Sequence, residues 1–199
     1  MSKKLMVFYR VVVGFVVLAA VIAQLRHGMQ SSTFSVANFF SFFTIESNIF
    51  GAIVLLASVF IRSKKLDYLR GAATLYMAIT GVIYIILLSG ADVQTPLPGV
   101  NIVLHYAFPV AMLLDWVVYK PQQKISFKKS LAWLIFPIAY AVYSLVRGHF
   151  AHWYPYPFID VDKLGYWQVF LNCLIIAPGI LALDFLVTFA SRSNRKKLH

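Results

Sequence analysis

The chain has 199 residues, of which 60% are hydrophobic and only 13% charged, with a mean hydropathy of +0.76. A soluble domain runs to about 45–50% apolar and about 25% charged residues, so this composition excludes an ordinary soluble protein and indicates a single integral membrane domain over 1–199. The net charge of +11 has the size expected of a nucleic-acid binder. The bases, however, sit between apolar runs, where a membrane protein meets anionic headgroups, so no nucleic-acid partner is expected.

Six apolar runs follow one another, at 5–23, 36–61, 71–89, 100–119, 131–146 and 166–190. About 20 predominantly apolar residues cross a bilayer as a helix, which makes the chain an all-α, polytopic bundle of six transmembrane helices. The first run follows Lys3 and Lys4 and ends on small residues, as a signal peptide would, but its length favours a retained anchor. The second and last runs exceed a bilayer thickness, and tilt or a protruding end is expected of them.

The second run, VANFFSFFTIESNIFGAIVLLASVFI, carries Asn38, Ser41, Thr44, Glu46, Ser47 and Asn48 in its first half. Polar groups at that depth cost free energy unless each finds a partner. Read as one helix, it places Ser41, Thr44, Ser47, Asn48 and Gly51 on a common inward face, with Glu46 about 200° round from Thr44. The third connection, GADVQTPLPG, is a Pro/Gly turn without a base. In the fourth run, His105 precedes Pro109, whose missing N–H frees the His105 carbonyl and kinks the helix. The fifth run aligns Trp133, Pro137, Tyr140, Ser144 and Arg147 on one face, with Arg147 the candidate partner for Glu46. The connection after it, RGHFAHWYPYPFIDVDKLG, offers Trp153, Tyr154, Tyr156 and Phe158 either as an interfacial aromatic belt or as a lid over an outward-facing cavity.

Lysine and arginine are distributed asymmetrically. The N-terminal tail, the second and fourth connections and the C-terminal tail hold 14, among them Arg62, Lys64, Lys65, Arg70, Lys128, Arg195, Lys196 and Lys197. The other three connections hold 3, namely Arg26, Arg147 and Lys163. The positive-inside rule then places both termini in the cytoplasm of a multi-pass protein of the cell membrane, with Asp92 and Lys163 outside.

Two constellations stand out. Thr44 lies about 12 Å and His105 about 8 Å below the outer helix ends at 1.5 Å per residue. They can therefore share one layer, where a neutral imidazole beside a hydroxyl is the arrangement that activates a weak alcohol nucleophile. The alternatives are a threonine bonded to its own helix backbone and a histidine that bridges two helices. Arg10, Asp115 and Asp184 lie roughly 6–9 Å from the inner ends. They read as a structural ion cluster joining the first, fourth and sixth helices, or as a proton or ion relay. The single Cys173 excludes an internal disulfide and a cysteine-rich metal site. No phosphate-binding glycine loop, HExxH or Gly-x-Ser-x-Gly is present, and no cofactor or metal is implied.

The segments NFFSFFTIESNIFGAIVL, HYAFPVAMLLDW and YSLVRGHF…WYPYPFIDVDKLGY, in this order and spacing, resemble the prokaryotic six-transmembrane-helix members of the androgen-induced protein family. The resemblance covers most of the chain. It implies a membrane-embedded hydrolase of fatty acid esters of hydroxy fatty acids, with a threonine nucleophile and a histidine on separate helices. The family threonine follows an aromatic run and matches Thr44. The family histidine precedes a proline and an acidic residue, which match His105, Pro109 and Asp115. The surroundings FTIESN depart from the eukaryotic pattern.

The expectation is thus hydrolysis of an ester-linked lipid in the outer half of the bilayer, with membrane lipid as the partner. Thr44 is the nucleophile and His105 the base. Ser47 or Asn48 is the oxyanion donor, Glu46 and Arg147 are further substrate-site candidates, and Phe40 and Tyr106 are walls of the cavity. An ion-coupled transporter using Glu46, Arg147 and the inner carboxylates, and a lipid-binding protein without turnover, are the alternatives. The number of subunits is not set by the sequence.

Overall fold

A computed structural model describes residues 2–90 and 97–192, Arg192 by its backbone alone. Most of the third connection, including Asp92, and the basic tail residues Arg195, Lys196 and Lys197 lie outside the described residues.

The described chain is all helical, and six of its helical segments are long and apolar enough to cross a membrane. The first span is α1 (Lys3–Gly28). The second is split into α2 (Val36–Phe40) and α3 (Phe43–Phe60). The third is α4 (Lys64–Ile83), continued by a π-helical turn over Tyr84–Leu88. The fourth comprises α5 (Pro98–Ile102), a second π-helical turn over Val103–Ala107, and α6 (Phe108–Val118). The fifth comprises α7 (Phe127–Ser130), a 3-10 turn over Leu131–Leu134 and α8 (Ile135–Ala151). The sixth is α9 (Val161–Arg192), broken near its start at Gly165, where φ is +74°.

The helix α4 is the axis of the bundle. Its residues 70–81 are buried without interruption, and it packs on α3, α6 and α9, while α1 packs on the far side of α3. Small residues make this possible, since Gly71, Ala72, Ala73, Thr74, Ala78 and Gly81 let neighbouring helices come close where no hydrophobic force separates protein from lipid. At Gly71 the space of a side chain is taken by the rings of Trp133 and Trp116. The helix starts at Lys64, seven residues before the apolar run, and so Arg70, expected in a connection, is a buried residue of the core.

Two departures from regular helix shape the bundle end that carries the connections 29–35 and 152–160. The second run is not one helix. It breaks at Ser41 and Phe42, where Phe42 is extended (φ −82°, ψ 127°). The break is closed by a side chain from α8: the Tyr140 hydroxyl accepts from Phe43 N (3.2 Å) and donates to the Ser41 carbonyl (2.9 Å). Ser41 consequently does not continue the face of Thr44, Ser47, Asn48 and Gly51. Thr44 lies in the first turn of α3, not eight residues along a continuous helix. The two π-helical turns lie side by side, and the Tyr84 ring of one stacks on the His105 ring of the other at 4.0 Å between centroids.

Candidate functional site

Thr44 and His105 face each other. Thr44 Oγ1 is 3.4 Å from His105 Nε2, and both residues are buried. The distance is at the long end of hydrogen-bond reach. The other ring nitrogen, Nδ1, lies 3.3 Å from the carbonyl oxygen of Asn101. A carbonyl only accepts, so the ring proton belongs on Nδ1, and Nε2 keeps its lone pair toward the threonine hydroxyl. Asn101 is itself fixed, through Nδ2, to the Tyr84 hydroxyl at 2.7 Å. The π-helical turn before Pro109 and the stacked Tyr84 ring together orient the imidazole. Such single-turn widenings recur at functional sites.

A third residue completes the group. The Tyr156 hydroxyl accepts from Thr44 N at 3.2 Å and lies 3.4 Å from Thr44 Oγ1. Thr44 N is a free amide because it belongs to the first turn of a helix. Tyr156 reaches it from the 152–160 connection, held between prolines 155 and 157, with its ring stacked on Phe158 and edge-on to Phe42. This connection folds over the bundle end: Trp153 packs on Phe42 and Arg147, and the Tyr154 ring fills the space at Gly148 that a side chain would need. Burial pushes the Tyr156 phenol up, against its hydrogen bonds with Thr44, which pull it down. It therefore remains a protonated donor near neutral pH. Sequence reasoning grouped Tyr156 with its aromatic neighbours; no local signal separates it from Tyr154.

The remaining candidates are placed less favourably for chemistry. Asn48 Nδ2 donates to the carbonyls of Thr44 (2.8 Å) and Leu104 (3.3 Å). Its buried Oδ1 is left without a partner among the described residues, but that atom is an acceptor, the wrong polarity for an oxyanion. Ser47 Oγ lies 2.9 Å from Thr80 Oγ1, whose own proton goes to the Tyr76 carbonyl. Ser47 therefore gives its one proton to Thr80 Oγ1 or to the Thr44 carbonyl 3.3 Å away, and in either case that proton is engaged. Arg147 does not meet Glu46. It donates to Asn38 Oδ1 at 2.6 Å and covers the Trp153 ring. Glu46 is partly buried and forms no ion pair among the described residues. Phe40 and Tyr106 are exposed and line neither cavity at Thr44.

Two cavities meet at Thr44. One, of about 390 Å³, is apolar and lies between α4, α8 and α9. The other, of about 410 Å³, extends past His105 toward the end of α1 and the 29–35 connection. Thr44, Tyr156 and Leu88 line both.

The inner constellation is differently composed than expected. Asp115 Oδ1 accepts from Arg10 Nε at 2.7 Å, and Oδ2 from Arg70 Nη1 at 2.6 Å. Arg70 also reaches Asp67 at 3.1 Å, and Arg10 donates to the Ser58 carbonyl at 2.8 Å. Two guanidiniums and two carboxylates thus neutralise one another across α1, α4 and α6. Asp184 is not a member. It is fully buried elsewhere, accepting from Ser130 Oγ at 2.9 Å. Equal depth on two helices does not imply adjacency, because depth leaves the direction round the bundle open. Among the described residues no group of His, Cys, Asp and Glu has the density of a metal site.

The chain matches no known protein-family model, no curated protein and no solved structure.

Proposed function

We propose that the protein is an intramembrane carboxylic ester hydrolase acting on ester-linked lipids, fatty acid esters of hydroxy fatty acids being one such class, in the outer half of the cell membrane with both termini in the cytoplasm. The observation that carries the reading is the Thr44–His105 pair, in which the unprotonated ring nitrogen faces a hydroxyl at the junction of two cavities. Thr44 Oγ attacks the acyl carbon while His105 Nε2 takes its proton. The developing oxyanion is met by the Tyr156 hydroxyl, which accepts from Thr44 N–H and lies 3.4 Å from Thr44 Oγ1, so that its proton can turn to the oxygen of the intermediate. Collapse of the tetrahedral intermediate breaks the bond to the alcohol, which leaves with the proton held by His105. Water then attacks the acyl-threonine with His105 again as base, releasing the fatty acid and restoring the hydroxyl.

Ion-coupled transport is less well supported. Between the Thr44–His105 layer and the Arg10–Asp115 layer, three helices contribute apolar, buried residues: Ala52 and Leu55 on α3, Ala73 and Met77 on α4, Phe108 and Met112 on α6. A packed apolar layer of this kind interrupts a polar path. Open space at Thr44 likewise favours turnover over a purely packed lipid-binding role.

The test is labelling of the purified protein with a fluorophosphonate probe, mapping of the modified residue, and lipid-ester hydrolysis by the variants. Modification is expected at Thr44. Thr44→Ala and His105→Ala are expected to abolish hydrolysis with unchanged elution in detergent, and Thr44→Ser to keep part of it. Wild-type rates from Thr44→Ala would refute the threonine mechanism.

A further inference from the structure

The two cavities at Thr44 differ in chemistry, and an ester bound there must place its two halves in them separately. The first is walled by Ile79 and Ile83 of α4, Pro137 and Ile138 of α8, and Ala177 and Ile180 of α9. Ile138 and Leu181 line it and are also exposed, at 61% and 41%. The cavity therefore opens sideways between α8 and α9, on a surface that faces lipid when the spans cross a membrane. The second cavity sets Gln24, His27, Ser31, Thr33, Ser35 and Asn38 among the apolar Phe34, Phe39, Phe42, Ile45 and Leu104, so its lining is mixed where that of the first is almost wholly apolar. Among the described residues no carboxylate lines it and Gln24 Oε1, a buried acceptor, has no hydrogen-bond partner. An unpaired buried acceptor is costly and is relieved by a ligand that brings a hydroxyl or N–H.

We infer that the site takes esters of one long acyl chain with a small hydroxyl-bearing alcohol of the glycerol type, the acyl chain reaching Thr44 from the bilayer between α8 and α9 and the alcohol occupying the polar cavity. The inference rests on the hydrolase reading and narrows its substrate, away from fatty acid esters of hydroxy fatty acids, whose alcohol half is itself a long chain. The apolar cavity offers an acyl chain surroundings like the lipid it leaves, whereas a second long chain would have to displace water from hydroxyl, amide and imidazole groups without replacing their hydrogen bonds. The same cavity accepts free glycerol hydroxyls or a glycerophosphate headgroup, since none of its described lining residues is acidic.

The experiment compares 1-palmitoyl monoacylglycerol, 1-palmitoyl lysophosphatidylglycerol, palmityl palmitate and monobutyrin in detergent micelles. The enzymes are the wild type, Thr44→Ala, Ala177→Trp, Ile138→Trp and Thr33→Trp. The wild type is expected to favour at least one glycerol-type palmitoyl ester over the wax ester by about tenfold or more in kcat/KM, the scale on which a site with unpaired polar groups rejects a partner that lacks them. Monoacylglycerol ahead of the lysophospholipid identifies a neutral polyol, and the reverse order a phosphate headgroup; both support the inference. Ala177→Trp is expected to depress palmitoyl turnover while sparing butyryl turnover, and Thr33→Trp to depress both. Ile138→Trp, at the lipid-facing mouth where the fold tolerates bulk, keeps the chain-length comparison available if Ala177→Trp does not fold. Thr44-dependent turnover with the wax ester equal or preferred, or an equal loss on both acyl lengths in Ala177→Trp and Ile138→Trp, would overturn the inference and leave the hydrolase reading standing. Absence of Thr44-dependent turnover on every ester would overturn both.

Discussion

At the scale of single residues, the proposed reaction divides the work of acyl transfer among three polar groups around Thr44. In that proposal the hydroxyl attacks, the imidazole moves the proton, and the phenol meets the charge. Loss of one oxyanion donor typically lowers kcat by about 10²–10³. Tyr156→Phe keeps the ring stack on Phe158, so it is expected to lower kcat by about that factor with little change in KM, measured by steady-state hydrolysis beside the wild type; an unchanged kcat would exclude the phenol from the reaction. Thr44 and His105 stand out in the sequence as polar groups in apolar runs, and the resemblance pairs them; the structure sets the two side chains 3.4 Å apart. Tyr156 could not be read from the sequence, because its contact with Thr44 spans 112 positions and depends on how the 152–160 connection folds back. Nor could the polarity of Asn48: an amide presents a donor and an acceptor, and only the fold shows that two carbonyls take the donor.

At the scale of elements, the irregular turns do the positioning. The break at Ser41 and Phe42 places Thr44 at a helix start, where its amide is free, and the price is a gap in backbone pairing that Tyr140 bridges with both functions of one hydroxyl. A buried polar group left unpaired costs about 1–3 kcal/mol. Tyr140→Phe strands Phe43 N–H and the Ser41 carbonyl together, and is expected to lower the melting temperature in detergent well beyond the effect of Tyr143→Phe, which touches only the Ser41 hydroxyl. The inner cluster ties α1, α4 and α6. Breaking a buried pair costs about 3–5 kcal/mol because the remaining charge is left alone. Asp115→Ala strands two guanidiniums, so its melting temperature should fall below those of Arg10→Ala and of the surface control Lys64→Ala; equal values for Asp115→Ala and Lys64→Ala would deny the cluster a structural role. Hydropathy made the six spans legible but not their interruptions. Neither the Ser41–Phe42 break nor the start of α4 at Lys64 has a signature in apolar content, since one is closed by a tyrosine 97 positions away and the other is capped by the Ser63 hydroxyl, which accepts from Leu66 N.

At the scale of the whole molecule, the proposed chemistry acquires a side of the membrane. An even number of spans returns the chain to the side from which it starts. The described connections 61–63 and 119–126 lie at the end of the bundle that carries the N-terminus, and 29–35 and 152–160 lie at the other. Lys64 and Lys128 are exposed at the first end and Lys163 at the second. The weight of lysine and arginine is on the first, and basic connections are retained on the cytoplasmic side. The polar cavity, bordered by His27 and Ser31, would then open outward, and the alcohol released from an ester at Thr44 would leave on that side. Single cysteines at positions 64, 128 and 163 in a Cys173→Ala background decide this with an impermeant thiol reagent on intact cells. Position 163 is expected to react at once, and positions 64 and 128 only after permeabilisation. Reaction of 64 and 128 on intact cells would invert the molecule, bringing the vestibule, and the hydrolysis proposed for it, to the cytoplasmic leaflet without altering any distance in the site.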